Sequence, residues 1–160
     1  MFQLGFAKRI QQLLEKNIEF NASNVQHMKT AGPAILSEVD AALQEYFGEY
    51  EVFSSEEMLY VPIENFNIFF KGFVDAVVKV GDTYHLFDWK TCSWGWDSRK
   101  KAEKLVTYQL TLYKHFFCQK HKIDPASVET HFALLKRTAK KDRVEIFRVT
   151  SGPKKTENAL

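Results

Sequence analysis

Apolar residues at positions 2, 6, 10, 13 and 14 recur at helical spacing, so the chain opens on an amphipathic helix over about residues 2–17. Residues 17–32 are polar and read as a loop. Pro33 then opens a second helix to about Phe47, at a first-turn position where its missing N–H is harmless. Beyond it the period changes. Residues 50–61, 69–79 and 84–90 are rich in β-branched and aromatic side chains and read as strands. A cap signal at Ser98 starts a long helix to about Lys120, residues 127–136 and 143–149 read as two further strands, and Lys154 begins another helix. The main order is α-α-β-β-β-α-β-β, an α/β chain.

The second and third strands are joined by Val80-Gly81-Asp82-Thr83, which carries a hairpin turn signal. With Gly81 and Asp82 as the loop, Val80 pairs with Thr83, and the same register sets Asp75 directly opposite Asp88. The period of two then puts Lys90 on the face of Asp88, together with Phe73, Val77 and Leu86. Three charges thus sit among apolar neighbours.

That placement is costly. Opposed like charges on adjacent strands destabilise a sheet, and a buried carboxylate without a partner takes up a proton in preference to staying ionised. A divalent cation between Asp75 and Asp88 removes both problems, and Mg²⁺ suits one or two carboxylates plus waters and phosphate oxygens. Lys90 would then hold the attacking water or stabilise charge on a phosphate. The plainer alternative is a surface hairpin with scattered charges, since an Asp-x-Lys triplet alone is common.

The ordered set Gly72-Phe73-Val74-Asp75, Asp88-Trp89-Lys90 and Gln109-Leu110-Thr111-Leu112-Tyr113 resembles the Gly-x-x-Asp, Asp-x-Lys and Gln-x-x-x-Tyr motifs of the PD-(D/E)XK nucleases, and within them the RecB-type exonuclease group. The resemblance implies a single restriction-endonuclease-like domain over residues 1–160, with a mixed central sheet flanked by helices. It implies Mg²⁺ or Mn²⁺ held by Asp75, Asp88 and the carbonyl of Trp89, with Lys90 assisting the water. It also implies a third acidic ligand on the preceding strand, for which Glu56 and Glu57 are candidates, Glu57 preferred. Gln109 and Tyr113, four apart, share a helix face and support the site, while Leu105, Tyr108, Leu112 and Phe116 are expected to face the core. The implied activity is that of a DNA exonuclease of phage or recombination systems, with recombination or replication proteins as further partners. A structure-selective or restriction-type endonuclease and a nucleic-acid binding module without catalysis are the alternatives. Relatives often carry an upstream histidine, for which His27 is the candidate, and many bind an iron–sulfur cluster. Cys92 and Cys118 cannot supply four thiolates.

Charge sharpens the picture of the partner. Residues 1–98 hold 7 Lys plus Arg against 14 Asp plus Glu, a net −7, whereas residues 99–160 hold 15 against 6, a net +9. An acidic, cation-binding half beside a basic half suits a polyanion held across a cleft. Arg99, Lys100, Lys101 and Lys104 lie just past the Asp-x-Lys motif; Lys136 and Arg137 add to the basic half, and a second run, Lys140 to Arg143, reads as a turn that either contacts phosphate or is merely solvated. Trp94 and Trp96 stack on unpaired bases if exposed, or close the core if buried.

The remaining composition excludes other classes. A chain of 160 residues with 45% hydrophobic and 14% aromatic content folds around one good core and is not disordered. Two isolated cysteines give no disulfide framework, no apolar run is long enough to span a bilayer, and the amino terminus lacks a signal-peptide pattern. The expectation is an intracellular, cytoplasmic protein of a bacterium or phage-infected cell, without membrane partners. The sequence stops at Asn158-Ala159-Leu160 just as a helix begins, as in a fragment or minimal version of the domain.

Overall fold

The computed structural model describes residues 2–160, with side chains from residue 4 onward; Met1 and the side chain of Phe2, part of the expected first apolar stripe, lie outside the described residues. Helix α1 (Phe2–Glu15) lies against α2 (Ala22–Phe47), and its Ile10 and Leu13 are half-buried. The latter starts eleven residues earlier than the polar composition predicts. Asn21 caps it, its side chain accepting the Asn24 N–H at 3.0 Å, so a polar segment with a satisfied first turn becomes an exposed helix instead of a loop. Pro33 lies inside the helix. It withholds one N–H from the Lys29 carbonyl, which sits on an exposed residue. Ala31, Ile35, Val39, Leu43 and Phe47 then repeat every four residues and form the inward stripe.

Five strands follow: β1 (Glu51–Pro62), β2 (Phe69–Val80), β3 (Thr83–Cys92), β4 (Val128–Lys136) and β5 (Val144–Val149). They form one sheet in the order β1-β2-β3-β4-β5, antiparallel throughout except for the parallel pair β3–β4. The crossover between those two carries α3 (Ser98–Lys101) and α4 (Lys104–His121), and α5 (Pro153–Ala159) closes the chain. This is the mixed sheet flanked by helices that the sequence predicts. The single long helix expected from Ser98 is two helices: Asp97, not Ser98, caps the first by accepting the Lys100 N–H at 2.8 Å, that helix ends at Ala102, and the second starts after Glu103, whose side chain makes no cap.

Helix α2 covers one face of the sheet, over Val78, Phe87 and Ala133, and α4 covers the other, over Leu59, Val61, Val74, Val77 and Leu86. Leu110, Phe132, Leu134 and Val149 extend the α4 side. The inward stripe of α4 holds the expected Phe116, with Leu112 packed beside it, but it adds the buried Leu110 and Phe117 and leaves out Leu105, which is 80% exposed in the first turn. No helix among the described residues is long and apolar enough to cross a membrane.

Candidate active site

The hairpin register is the expected one as far as it runs: Val80 pairs with Thr83, Val77 with Leu86 and Ala76 with Phe87. There the β2–β3 ladder stops. At the next position the Asp75 carboxylate takes over from the missing main-chain partner, accepting the Trp89 N–H at 2.7 Å. Strand β2 also slips by one residue at this point. Before Asp75 the residues turned to α4 are Phe70, Gly72 and Val74; after it Val77 takes that face, while Ala76 and Val78 turn to α2. Such a slip is the local kink by which a strand re-aims a side chain. Its consequence corrects the sequence reading: Phe73 is not on the site face but 44% exposed on the other.

Asp88 keeps its expected place on the α4 face and is buried. Lys90 Nζ stands 2.6 Å from Asp88 Oδ2 and donates to Gln109 Oε1 at 3.0 Å, and Gln109 Nε2 donates to the Tyr113 hydroxyl at 3.0 Å. Asp88, Lys90, Gln109 and Tyr113 therefore form one chain of contacts from β3 to α4. The Asp88–Lys90 contact is a close ion pair lacking hydrogen-bond alignment, so Asp88 Oδ2 has no aligned donor among the described residues. Burial pushes the Asp88 carboxyl above the usual carboxylate range, the neighbouring Asp75 adds to this, and Lys90 only partly opposes it.

Gly72 shapes the floor of the site. A Cβ there would lie 2.9 Å from Tyr113 Cε1 and 3.0 Å from Phe70 Cε1. Both rings are packed, with Phe70 stacked on Phe116 at 4.1 Å. Gly72→Ala is expected to cost about 1–3 kcal/mol in denaturant unfolding and to weaken activity by displacing the Tyr113 ring. An unchanged unfolding midpoint would show that the rings move freely.

Glu57 is drawn to different partners. Its carboxylate accepts from Lys120 Nζ at 2.6 Å and lies 2.8 Å from His121 Nε2, both at the end of α4. Burial raises its pKa, but the Lys120 and His121 hydrogen bonds outweigh this and leave it below the ordinary value. Glu56 is exposed, with φ at 52° in the left-handed region, between the pairs Ser55–Ala76 and Glu57–Val74. The structure thus brings Asp75, Asp88, Lys90, Gln109 and Tyr113 together and ties Glu57 to α4. Nothing in the sequence spacing marked Lys120 and His121 as its partners, which lie more than 60 residues away. His27 stands exposed in the first half of α2.

The basic and aromatic candidates divide. Arg99, Lys100 and Lys104 are exposed on α3 and at the start of α4, Lys100 lying over the Trp96 ring at 4.9 Å. Lys101 is ion-paired with Glu145, and Arg143 of the second run with Glu38 at 2.6 Å. Trp94 is 76% exposed, whereas Trp96 packs against Phe132 and Phe147. Burial raises the Cys92 thiol and pushes Cys118 up to about 11, which suits packing and not nucleophilic chemistry.

Residues 6–159 match the family model of the PD-(D/E)XK nuclease superfamily. No curated protein matches the sequence. Among solved structures, a proposed exonuclease from Eubacterium rectale superposes with a TM-score of 0.60 at 13% identity, over 99% of this chain and 59% of its own. A second, SSO0001, gives a TM-score of 0.45 at 12% identity over 98% of this chain and 65% of its own. The first likeness is one of fold, and the chain spans 59% of that protein's length.

Proposed function

The chain belongs to the PD-(D/E)XK nuclease superfamily, and from that premise we propose that it is a Mg²⁺- or Mn²⁺-dependent DNA exonuclease that hydrolyses phosphodiester bonds. The observation that carries this reading is the contact chain from Asp88 through Lys90 and Gln109 to Tyr113, with Asp75 at the mouth of the opened ladder. The exonuclease mode rests on the ordered Gly-x-x-Asp, Asp-x-Lys and Gln-x-x-x-Tyr set.

The residues present fit a divalent cation. Buried Asp88 Oδ2 has only the Lys90 ammonium beside it, at 2.6 Å and poorly aligned, among the described residues, and a second carboxylate, Asp75, is close enough to raise its pKa. In an extended strand a residue's N–H and C=O point to the same side, so the Trp89 carbonyl faces the gap into which its N–H donates. Asp75, Asp88 and that carbonyl are the proposed ligands; Glu57 is assigned to holding the end of α4 against β1. When bound, the cation supplies Lewis-acid polarisation of the phosphate and acidifies a coordinated water.

The protein's own groups do the rest. Lys90 holds a positive charge at the rim of the carboxylates, where it steadies the attacking water or the charge developing on the phosphate. Gln109 keeps the Lys90 ammonium from swinging to solvent, and Tyr113 keeps Gln109 in place. Arg99, Lys100 and Lys104 supply phosphate contacts on the strand that enters, and the exposed Trp94 supplies a stacking face for an unpaired base.

The test is cleavage of end-labelled linear single- and double-stranded DNA and of closed circles, in Mg²⁺, Mn²⁺ or chelator, for the parent and Lys90→Ala. Metal-dependent digestion of linear DNA with circles spared, lost in Lys90→Ala, is the expected result. Cleavage of circles would replace the exonuclease by an endonuclease, and binding without cleavage would leave a recognition module.

A further inference from the structure

On the face of the sheet opposite Asp88, three donor atoms converge that take no part in the nuclease reading. His85 on β3 and Glu129 on β4 are direct partners in the parallel ladder, and His131, two residues beyond Glu129, shares its face. His85 Nδ1 and His131 Nε2 are 3.0 Å apart; Glu129 Oε2 lies 3.6 Å from the first and 3.8 Å from the second. We propose that His85, Glu129 and His131 form a second cation site, selective for a borderline-soft transition ion such as Zn²⁺, that pins β3 to β4.

The triangle has the right size. A point equidistant from corners separated by 3.0, 3.6 and 3.8 Å is about 2.0 Å from each, which is the distance at which Zn²⁺ takes imidazole nitrogen and carboxylate oxygen. Two imidazoles and one carboxylate also suit Zn²⁺ better than Mg²⁺, which demands near-octahedral oxygen ligation.

Hydrogen bonding within the cluster does not reach all three atoms. Without a cation, one proton shared between His85 Nδ1 and His131 Nε2 serves those two atoms only. Glu129 Oε2 is then left beyond hydrogen-bond range of both. The side chain of His131 is 1% exposed, and a cation on its Nε2 places the ring proton on Nδ1, which has no acceptor among the described residues, a cost the ion has to offset. Buried polar atoms ordinarily have a partner. A cation placed between them engages all three donor atoms at once. Desolvation holds both rings below their ordinary pKa, His131 down to about 3, so both are neutral ligands at pH 7.

The surroundings are those of a supported ligand set. Arg148 on β5 donates to the other oxygen of Glu129, Oε1, at 3.0 Å, fixing the carboxylate without occupying Oε2. Phe47, from the end of α2, lies 4.6 Å from the His85 ring and 5.4 Å from the His131 ring, and Tyr46 lies 5.6 Å from the latter. Glu129 is one-quarter exposed, so the carboxylate corner of the triangle is the one from which an ion and a water ligand would come. His85 stands three residues before Asp88 on the same strand, so an ion here would stiffen the strand that carries the other site.

The test uses Zn²⁺ alone, added to chelator-stripped protein, with Asp88→Asn as the background so that the Asp75–Asp88 site does not contribute. One equivalent bound, with a rise in thermal midpoint, is expected there. Affinity should weaken at least about 100-fold in Glu129→Gln and in His131→Gln, ligand loss exceeding the effect of a supporting contact. Co²⁺ in place of Zn²⁺ should give visible absorption bands of a four-coordinate ion that disappear in both variants. Glu129 is partly exposed, so Glu129→Gln remains informative if His131→Gln fails to fold. Undiminished Zn²⁺ affinity in Glu129→Gln, or uptake that vanishes in the Asp88→Asn background itself, would overturn the proposal. It stands or falls apart from the nuclease reading.

Discussion

Asp88→Asn is expected to abolish metal-dependent cleavage, by roughly 10³-fold or more, while leaving the metal-free chain no less stable than the parent. The two effects have one cause. Asp88 is buried, and desolvation holds its carboxyl above the usual range, with Asp75 adding to the strain. A carboxyl whose folded pKa lies above its unfolded value binds more protons in the folded state. Its favourable contribution is therefore present below the unfolded pKa and is lost as pH rises through the folded one. At neutral pH the ionised Asp88 is thus a cost to the metal-free fold, offset only in part by Lys90. An amide of the same shape removes that cost and the cation ligand together. The checks are the cleavage assay and denaturant unfolding in chelator from about pH 4 to pH 8, over which the parent's disadvantage relative to the variant should grow as pH rises through the folded pKa. A variant markedly less stable than the parent at both ends would show that Asp88 serves the fold first. Asp75 makes the contrast, because its carboxylate completes the β3 backbone at Trp89.

The largest loss of stability is expected from Phe116→Ala. Phe116 is 2% exposed and stacks on Phe70 at 4.1 Å and 9° between planes, in the cluster that joins α4 to β1 and β2. Removing a buried ring of this kind costs about 3–5 kcal/mol, a large part of the roughly 5–15 kcal/mol of a typical domain. In a chain of this size the thermal midpoint should fall by roughly 10 °C. The same ring supports the turn of α4 that carries Tyr113. Activity should therefore decline at temperatures where the variant is still folded, because Gln109 and Lys90 lose their backing. A midpoint within about 2 °C of the parent would mean that the cavity collapses and the cluster is more plastic than its packing implies.

Much of the site was readable before any tertiary structure because its determinants are local. The hairpin register followed from two turn residues, Gly81 and Asp82, and propagates along both strands as far as Ala76 and Phe87. Gln109 and Tyr113 are one helical turn apart, so their hydrogen bond needed only the helix. What could not be read depends on packing between distant segments. Alternation places Phe73 beside Asp75, but alternation assumes an unbroken strand, and the slip at Asp75 is visible only when the faces taken by Val74 and Ala76 are compared. The polar run before Pro33 became helix because a single side chain, Asn21, satisfied its first turn. Polarity alone does not distinguish an exposed helix from a loop.

By itself, the sequence determined the order of the strands, the pairing of β2 with β3 from the turn as far as Ala76 and Phe87, and the shared face of Asp88 and Lys90, since all of these follow from periodicity and one tight turn. Only the tertiary structure decided the rest. It opened the ladder so that Asp75 holds the Trp89 N–H, laid α4 across the sheet so that Gln109 meets Lys90, and drew Glu57 to Lys120 and His121. It also set His85 beside Glu129 and His131 across the parallel pair. Those contacts join residues 14 to 64 positions apart, and no local period constrains such pairs. Their geometry is set by which apolar faces are buried together and by how the sheet and its two covering helices pack to bury them.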